Sequence, residues 1–515
     1  MKNKKQFIIN LLANLMSFSI SIGVSFLLTP FLIEHIGKEA YGFFPLANNI
    51  VSYINLLVIA LNSMAARFIM IEVMKNDMLQ ANIYFNSVFY SNIVIITLLS
   101  VPLCLIIVFV DRFLNVPVAL HGEIQILFSL IFLTFLISVI GSVFNVSTLT
   151  MNRIDLRSYQ EIIQSGLKAA LFLCLFSMFT PSIVYVGIVS LSVTVIGIFI
   201  SIYLTRRLLP NISISLKYFK VKAVKELLSS GVWGSINHLS VILLTGLDLL
   251  LANLFFGAAK AGEYSIAQTV PVFLVFLISM IVGIFIPPLA SRYAENDIAG
   301  LVREVNFSSK VLNVLISVPI AGFIVFGDDF YHLWVPGENA AYLHLLSIIM
   351  MGPYLVNGSI NTLFNVNTIL NKVKLPSIIL FVSGILNVAL VFILINFTNL
   401  GLLAIPISSS TLSIIRNITF TPVYPAKCLG VKWNIFYRLI IRNSITTAVL
   451  VCLFSLISRF LHFSHWLGFI LAVIGCGIIG YIINLLITLD RNELSKLKNL
   501  MVLKIFRKAK LQETN

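Results

Sequence analysis

The sequence predicts an all-α integral membrane protein of about 14 transmembrane helices. Two parallel-repeat six-helix lobes, two additional C-terminal helices and two cytoplasmic termini complete the expectation. Three observations lead there. Hydrophobic residues make up 59% of the 515 and charged residues only 11%, against roughly 25% charged in soluble domains. Continuous apolar runs recur at about the 20-residue length that a bilayer crossing requires. Lys and Arg then divide sharply between the two sides of the resulting topology. The composition excludes a soluble enzyme, a secreted protein and a nucleic-acid binder. The continuity of the apolar runs, without strand alternation, excludes a β-barrel.

Apolar stretches broken by Gly, Pro, Asn or charge place the spans at 7–33, 41–66, 84–110, 123–148, 158–179, 182–205, 231–255, 264–290, 310–331, 340–363, 376–395, 400–424, 437–460 and 464–488. The basic start, Met1 to Lys5, resembles a signal peptide, but the apolar run continues to Ile33 without a small-residue cleavage site and reads as the first span. With the N-terminus inside, 29 of the 35 Lys and Arg fall on inside segments. Only Lys38, Arg112, Lys260 and Arg459 fall outside, and Lys168 and Arg416 lie within spans. The net charge of +15 is therefore mostly topology. The basic tail from Arg491 to Lys510 reads as a juxtamembrane segment on anionic lipid or as a stop-transfer anchor. The five cysteines, Cys104, Cys174, Cys428, Cys452 and Cys476, have no paired or metal-type spacing and read as small apolar fillers.

An internal repeat runs at an offset of 220. Gly37, Gly42, Phe44, Leu46 and Ala47 match Gly257, Gly262, Tyr264, Ile266 and Ala267, each set between the first and second span of a group. Lys5 and Lys225 precede the groups at the same offset, and Arg67 and Arg292 close the next spans at an offset of 225. The offset contains six spans, an even number, so the halves share one orientation and form a parallel repeat with a substrate cavity and alternating access expected between them. This gives an N-terminal lobe over 1–222, a second over 223–430, and helices 13 and 14 with a basic cytoplasmic tail over 431–515. The hairpin glycines Gly37, Gly42, Gly257 and Gly262 are structural in this reading.

Here the chain resembles the polysaccharide flippases, the Wzx-type transporters of the multidrug/oligosaccharidyl-lipid/polysaccharide exporter superfamily. The resemblance rests on the turn from Gly37 to Ala47, on Asp248 nine residues before Gly257 and followed by Gly262, Glu263 and Tyr264, and on Asn387 to Leu390 with Gly401 opening the twelfth span. It covers essentially the whole chain. It implies a substrate of undecaprenyl-pyrophosphate-linked oligosaccharide, carried from the inner to the outer leaflet of a bacterial plasma membrane for capsule, O-antigen or teichoic-type synthesis. It implies as partners the lipid-linked oligosaccharide, membrane lipid, and the polymerase and glycosyltransferases of the same pathway. The first span carries no Arg, unlike the related lipid II flippases, which disfavours a peptidoglycan precursor. The competing readings are a multidrug or cation antiporter of the related MATE-type group, which needs an acid-dominated cavity, and a membrane enzyme such as a polymerase or ligase, which needs a large outer loop.

Ionisable residues at bilayer depth cost about 2.5–3.5 kcal/mol on insertion scales and normally face a cavity or a partner. Arg157, Glu161 and Lys168 share a helix face at spacings of 4 and 7. They form either a cationic stripe for pyrophosphate or an acidic sugar, or a Glu161 ion pair with Lys168 bonded to a carbonyl. Asn237, Ser240, Thr245 and Asp248 make a second polar stripe, for sugar or for a coupled ion, or else a structural lock. His238 is a proton relay or a satisfied core histidine. Arg67 and Arg292 flank the inner mouth as phosphate attractors or as plain anchors. Arg416 is expected to snorkel to the inner surface, and Glu34 to be solvated. Asp248, Glu161 and His238 are the candidates for H⁺ or Na⁺ coupling. No Walker A loop, zincin motif or acidic metal cluster occurs, so the expectation is a non-enzyme without a metal or organic cofactor, driven by gradients.

Overall fold

The computed structural model describes residues 2–461, 463 and 465–489. The basic tail from Arg491 to Lys510 lies outside the described residues. Thirteen long helices are numbered here in chain order: α1 Lys2–Met74, α2 Met78–Val108, α3 His121–Gly141, α4 Ile154–Met178, α5 Val184–Leu208, α6 Val221–Val241, α7 Asp248–Ile284, α8 Ile298–Trp334, α9 Ala340–Ile360, α10 Lys374–Phe397, α11 Ala404–Thr419, α12 Tyr437–Ser458 and α13 Trp466–Thr488. Short helical turns join several of them, and no strand occurs among the described residues. Among the described residues twelve stretches are long and apolar enough to cross a membrane. Two of these run for 63 and 74 residues, roughly 95 and 110 Å at 1.5 Å per residue, far beyond a hydrocarbon core of about 30 Å. Each contains one glycine with non-helical dihedral angles. Gly37 (φ 79°, ψ 158°) interrupts α1 and Gly257 (φ 85°, ψ 176°) interrupts α7. Only a residue without Cβ takes that conformation at no steric cost. The two breaks stand at the repeat offset of 220 and share a geometry.

The helices outrun the apolar stretches that suggested them. The second half of α1 continues to Met74, and α8 begins at Ile298, well before its apolar stretch. Caps rather than charges end these helices. Asp77 accepts the backbone N–H of Gln80 at 2.9 Å, and Asp297 accepts that of Gly300 at 2.7 Å, which satisfies one of the orphan donors of a helix start. Each Asp follows an Asn in the left-handed region, Asn76 (φ 61°) and Asn296 (φ 56°). The backbone N–H of Asp77 reaches back to Glu72 O, and that of Asp297 to Arg292 O, both at 3.0 Å. The same closing turn recurs at Asn152 (φ 52°) and Asn371 (φ 53°), where Arg153 N donates to Thr148 O and Lys372 N to Asn367 O. Asn is the residue after Gly that best tolerates this helix-closing position.

These turns extend and correct the repeat. Asn76-Asp77 and Asn296-Asp297 also lie 220 apart, so the halves stay in one register through the second helix of each group. In that register Arg292 stands where the first half has Glu72, and Arg67 where the second half has Pro287. The pairing of Arg67 with Arg292 at an offset of 225 is therefore not a structural equivalence.

The chain divides into two compact units that interleave in sequence. One holds the chain up to Ile266 together with Ser377–Ile405, and the other holds Ala267–Pro376 together with the chain from Pro406 onward. Within the first unit a core of Leu61, Ile69, Phe85, Val88, Val143 and Leu227 joins α1, α2 and α6. Within the second, Leu289, Leu301, Leu312, Ile360, Val366 and Phe436 make a comparable core, and Phe326, Leu450, Phe454 and Phe469 make another against α12 and α13. The five cysteines are free.

Inside the first unit the two glycine-broken hairpins meet. A Cβ on Gly42 would stand 3.0 Å from the Cα and N of Gly262, and a Cβ on Gly262 would stand 2.4 Å from Lys38 O. Glu263 joins the turns electrostatically, its carboxylate taking Lys38 Nζ at 3.2 Å and Lys260 Nζ at 2.6 Å. Gly262→Val forces these backbones apart, and we expect it to lower stability by about 1–3 kcal/mol, the usual cost of overpacking. Gly283→Val, where nothing lies within 4 Å of the added Cβ, is the control; thermal unfolding of the detergent-purified chain makes the comparison. At the closing turns, Asn76→Ala and Asn296→Ala are each expected to cost about 1 kcal/mol, the left-handed penalty of a Cβ-bearing residue, while Asn→Gly at either position holds stability.

Candidate functional site

Two polar constellations lie within the first unit. The first is a seam between α1 and α4. Along α1, Gln6, Asn10, Ser17 and Ser21 follow spacings of 4, 7 and 4, which keep them on one face. Along α4 they meet Asp155, Glu161 and Ser165. Gln6 Nε2 donates to Asn10 Oδ1 and to Asp155 Oδ1, both at 2.9 Å. Asn10 Nδ2 donates to Asn152 O at 3.0 Å, and Asn10 Oδ1 accepts the backbone N–H of Asp155 at 3.1 Å. Asp155 is buried and also holds Arg153, at 3.0 Å. Those hydrogen bonds raise the Arg153 guanidinium above its ordinary pKa, so the pair stays ionic at the end of the helix. Farther along, Ser17 Oγ donates to Glu161 Oε2 at 2.7 Å, while Arg157 Nε takes Glu161 Oε1 at 3.2 Å. Ser21 and Ser165 share a hydrogen bond of 2.8 Å.

The seam ends at Lys168. It lies 14 residues into the 25-residue α4 and 11 residues beyond Arg157, roughly 16 Å along the axis. It is half-buried. No hydrogen bond or ion pair joins it to any other described residue. Of the two arrangements open in the sequence, the Glu161 ion pair is present, with Arg157 as its partner, but no carbonyl of a described residue takes Lys168. Arg157 is exposed and Glu161 partly so, and such pairs contribute little stability.

The second constellation surrounds a π turn, Ile242–Gly246, that separates α6 from α7. There the backbone N–H of Leu247 bonds Ile242 O at 3.0 Å, and carbonyls of the regular ladder are released. Side chains capture them. Asn387 Nδ2 on α10 donates to Leu244 O at 2.9 Å and Leu243 O at 3.3 Å. Tyr53 on α1 donates its hydroxyl to Gly246 O at 2.6 Å. Asp248, the first residue of α7, is 3% exposed and accepts the Tyr264 hydroxyl at 2.9 Å. At the other end of this segment Asn115 N donates to Asn253 Oδ1 at 2.9 Å, and Asn115 Nδ2 to Asn253 O at 2.7 Å.

The π turn also separates residues that a regular helix would align. Asn237 is exposed, whereas Asp248 is buried; a turn of more than 3.6 residues intervenes, so the two do not share a stripe. Ser240 is buried and bonds the carbonyl of Ile236. Thr245 bonds that of Val241. His238 Nε2 lies 3.4 Å from both Ser52 Oγ and Ser52 O. Arg67 is exposed and has no hydrogen-bonding or ionic partner among the described residues. Arg292, in the other unit, pairs with Glu295 at 3.5 Å and Asp297 at 3.4 Å. The hydroxyls of Tyr53 and Ser17 and the amides of Gln6 and Asn10 were not anticipated, although the i, i+4 spacing of Gln6 with Asn10 and of Ser17 with Ser21 is a readable signal.

The repeat relates the two constellations. The closing turns at Asn152 and Asn371 are 219 apart, so Lys168 on α4 corresponds to Asn387 on α10. Asn387 meets carbonyls freed by the π turn. The corresponding stretch of α1, residues 22–26, is regular helix, and Lys168 has no such carbonyls to take. We expect Asn387→Ala to leave the π-turn carbonyls unsatisfied and to lower stability by about 1–3 kcal/mol, read as a fall in the thermal unfolding midpoint of the purified protein.

The architecture is that of a multi-pass membrane protein with the fold of the MOP-superfamily transporters. An inward-facing multidrug resistance MATE family transporter of that superfamily aligns with a TM-score of 0.62 at 14% identity, over 82% of this chain and 98% of that one. An outward-facing one aligns at 0.60 and 14%, over 82% and 95%. A MOP superfamily transporter from Pyrococcus furiosus, whose binding pocket is described as reversed in polarity, aligns at 0.59 and 14%, over 82% and 95%. By sequence the chain belongs to the polysaccharide biosynthesis protein family, whose model matches residues 5–294. It is 30% identical over 436 residues to the uncharacterized membrane protein EpsK of Bacillus subtilis (strain 168), covering 85% of this chain and 86% of that protein. The family drawn from the sequence is thereby established.

Proposed function

We propose that this protein is a flippase for a lipid-linked oligosaccharide. In this reading it moves an undecaprenyl-pyrophosphate-linked repeat unit from the inner to the outer leaflet of the bacterial plasma membrane by alternating access, for assembly of a cell-surface polysaccharide. The chain crosses the membrane fourteen times, because the two longest stretches each fold back at Gly37 and Gly257, and both termini lie in the cytoplasm, as the Lys and Arg distribution favours. Membership of the polysaccharide biosynthesis family supports the glycan cargo. The MATE-type fold serves a drug or cation antiporter equally well, so the fold does not choose between cargoes.

The observation that carries the reading is Lys168. A half-buried cation in mid-helix without a partner among the described residues suits an anionic cargo. A fixed carboxylate beside it would neutralise it permanently, and the nearest acid on its seam, Glu161, is already engaged on both oxygens by Ser17 and Arg157. A pyrophosphate group needs such a contact inside the membrane, because burying its charge alone costs far more than burying it paired. An inside-negative potential also favours its outward movement by about 2.3 kcal/mol per charge per 100 mV. Arg157 and Arg67, both exposed, serve as earlier contacts for the head group, and Asp248, Glu161 and His238 are the groups available to couple a proton or Na⁺.

In a strain lacking the chromosomal gene, the lipid-linked repeat unit is expected to accumulate in the inner leaflet, and the wild-type gene to clear it. Lys168→Met is expected to slow export at least about tenfold, the equivalent of 1.4 kcal/mol, with Lys168→Arg retaining most activity. Full export by Lys168→Met at wild-type membrane abundance would sink the role of Lys168. Absence of accumulation in the deletion strain would sink the cargo.

A further inference from the structure

We infer that Arg416 and Asn417 form a second oxyanion-binding site, in the unit made of Ala267–Pro376 and the chain from Pro406 onward. This goes beyond the proposed role of Lys168 and uses none of its residues. Arg416 lies 12 residues into α11, roughly 18 Å along the helix. It was expected to snorkel to the surface; instead its Nη1 is fully buried and has no hydrogen-bond partner. Its other edge is fixed, with Nε and Nη2 donating to Asn417 Oδ1 at 3.3 and 3.2 Å. Asn417 is completely buried, and its Oδ1 also accepts from Thr421 Oγ1 at 3.2 Å, but its Nδ2 is a second buried donor without a partner. Two adjacent groups are thus left with donors only. Guanidinium has no acceptor, and an amide Nδ2 has none either, so neither can satisfy the other. What fits both is an acceptor-rich anion, and a planar fork suits phosphate or carboxylate oxygens best.

Among the described residues no protein group takes either orphan donor. From Asn339 to Leu489 the chain contains no Asp or Glu. Over the same stretch it carries eight Lys and Arg, of which Arg416 lies within a span. The polar residues of the same helix do not complete the site as acceptors. Ser410 Oγ donates to Ile349 O at 2.7 Å, and Ser409 Oγ to Pro406 O at 3.4 Å. Ser409, Ser413 and Asn417 repeat at four-residue spacing, and all are buried, so a polar stripe runs along α11 to the guanidinium. A buried, unpaired guanidinium at this depth is expensive, and an oxyanion offsets that cost while satisfying both orphan donors. The shared chemistry is an anionic oxygen cluster, supplied by a pyrophosphate, by the carboxylate of an acidic sugar, or by an anionic lipid head group.

The test uses the full-length protein purified in uncharged detergent. Intrinsic tryptophan fluorescence follows thermal unfolding during titration with sodium pyrophosphate, sodium glucuronate or short-chain phosphatidylglycerol, against sodium chloride at equal ionic strength. At least one of the three probes is expected to raise the midpoint of the wild type saturably, and the responding probe names the source. Arg416→Met is expected to unfold at or above the wild-type temperature without probe, since it removes a buried unpaired charge, and to lose the probe-induced shift. Arg416→Lys keeps the charge but not the fork and is expected to weaken apparent affinity about tenfold; it decides the question should Arg416→Met not fold. In a Lys168→Met background any contribution of Lys168 is removed, and the part of the shift that depends on Arg416 is expected to remain, which separates this site from the transport reading. No shift with any probe, as when only water fills the site, overturns the proposal, and so does an undiminished shift in both Arg416 variants.

Discussion

Every backbone polar group in a bilayer must find its partner within the protein, and the departures from regular helix in this molecule are arranged around that requirement. A continuous α-helix meets it alone. Each break releases N–H or C=O groups that lipid cannot accept. At Gly37 and Gly257 the breaks have charged Lys38, Lys260 and Glu263 nearby. At Asn76, Asn152, Asn296 and Asn371 a left-handed residue lets the closing turn bond its own carbonyls. At the π turn of Ile242–Gly246 the ladder opens within a long apolar stretch, and there Asn387 and Tyr53 close it from neighbouring helices. Polar side chains in the first unit therefore divide into those that repair backbone and those that do not. Lys168 belongs to the second group.

The internal duplication gives this division a control. Gly37 and Gly257 share their geometry, and Asn76-Asp77 and Asn296-Asp297 share theirs, so equivalent positions in the two halves can be compared. Asn387 and Lys168 are such a pair. The asparagine has freed carbonyls in front of it and bonds them, while the stretch of α1 equivalent to the π turn, residues 22–26, is regular helix. Leu28 likewise stands where the second half has Asp248, which bonds Tyr264. The halves have kept their framework and diverged at the polar positions within the membrane, as expected where framework is held by steric necessity and polar positions by function.

Much of the framework was legible in the sequence because its causes are local. Apolar run length, glycine at the breaks and the bias of Lys and Arg are each visible within a window of some twenty residues. Helix ends were less legible. The apolar stretch placed the span at 310–331, whereas the N-cap of Asp297 starts α8 at Ile298, since charged residues are compatible with helix once they reach past the lipid. The polar stripe from Asn237 to Asp248 failed for a different reason. A π turn changes the face by its extra residue and has no signature short of its capture by Asn387 and Tyr53, residues far away in the chain. Lys168 was legible as an intramembrane charge, but its lack of a partner was not, because that depends on Glu161 being taken by Arg157 and Ser17.

Arg416 shows the same limit from the other side. Near the end of an apolar stretch, a long basic side chain ordinarily reaches water, and sequence position alone supports that expectation. The outcome depends on what packs over the helix and on the adjacent Asn417, whose carbonyl oxygen holds one edge of the guanidinium inward. An inward-held cation can be stabilised by a fixed acid or by a mobile one. A fixed acid makes a permanent pair whose desolvation is offset once, during folding. A mobile anion leaves the cation costly in its absence, so the binding free energy contains the relief of that cost. In the roles proposed for them, Lys168 and Arg416, each within its own unit and each without a carboxylate partner among the described residues, are both of the second kind. A protein that must release an anionic group after each passage gains from that arrangement, because a site paid for in folding stability holds its cargo only while the cargo is there.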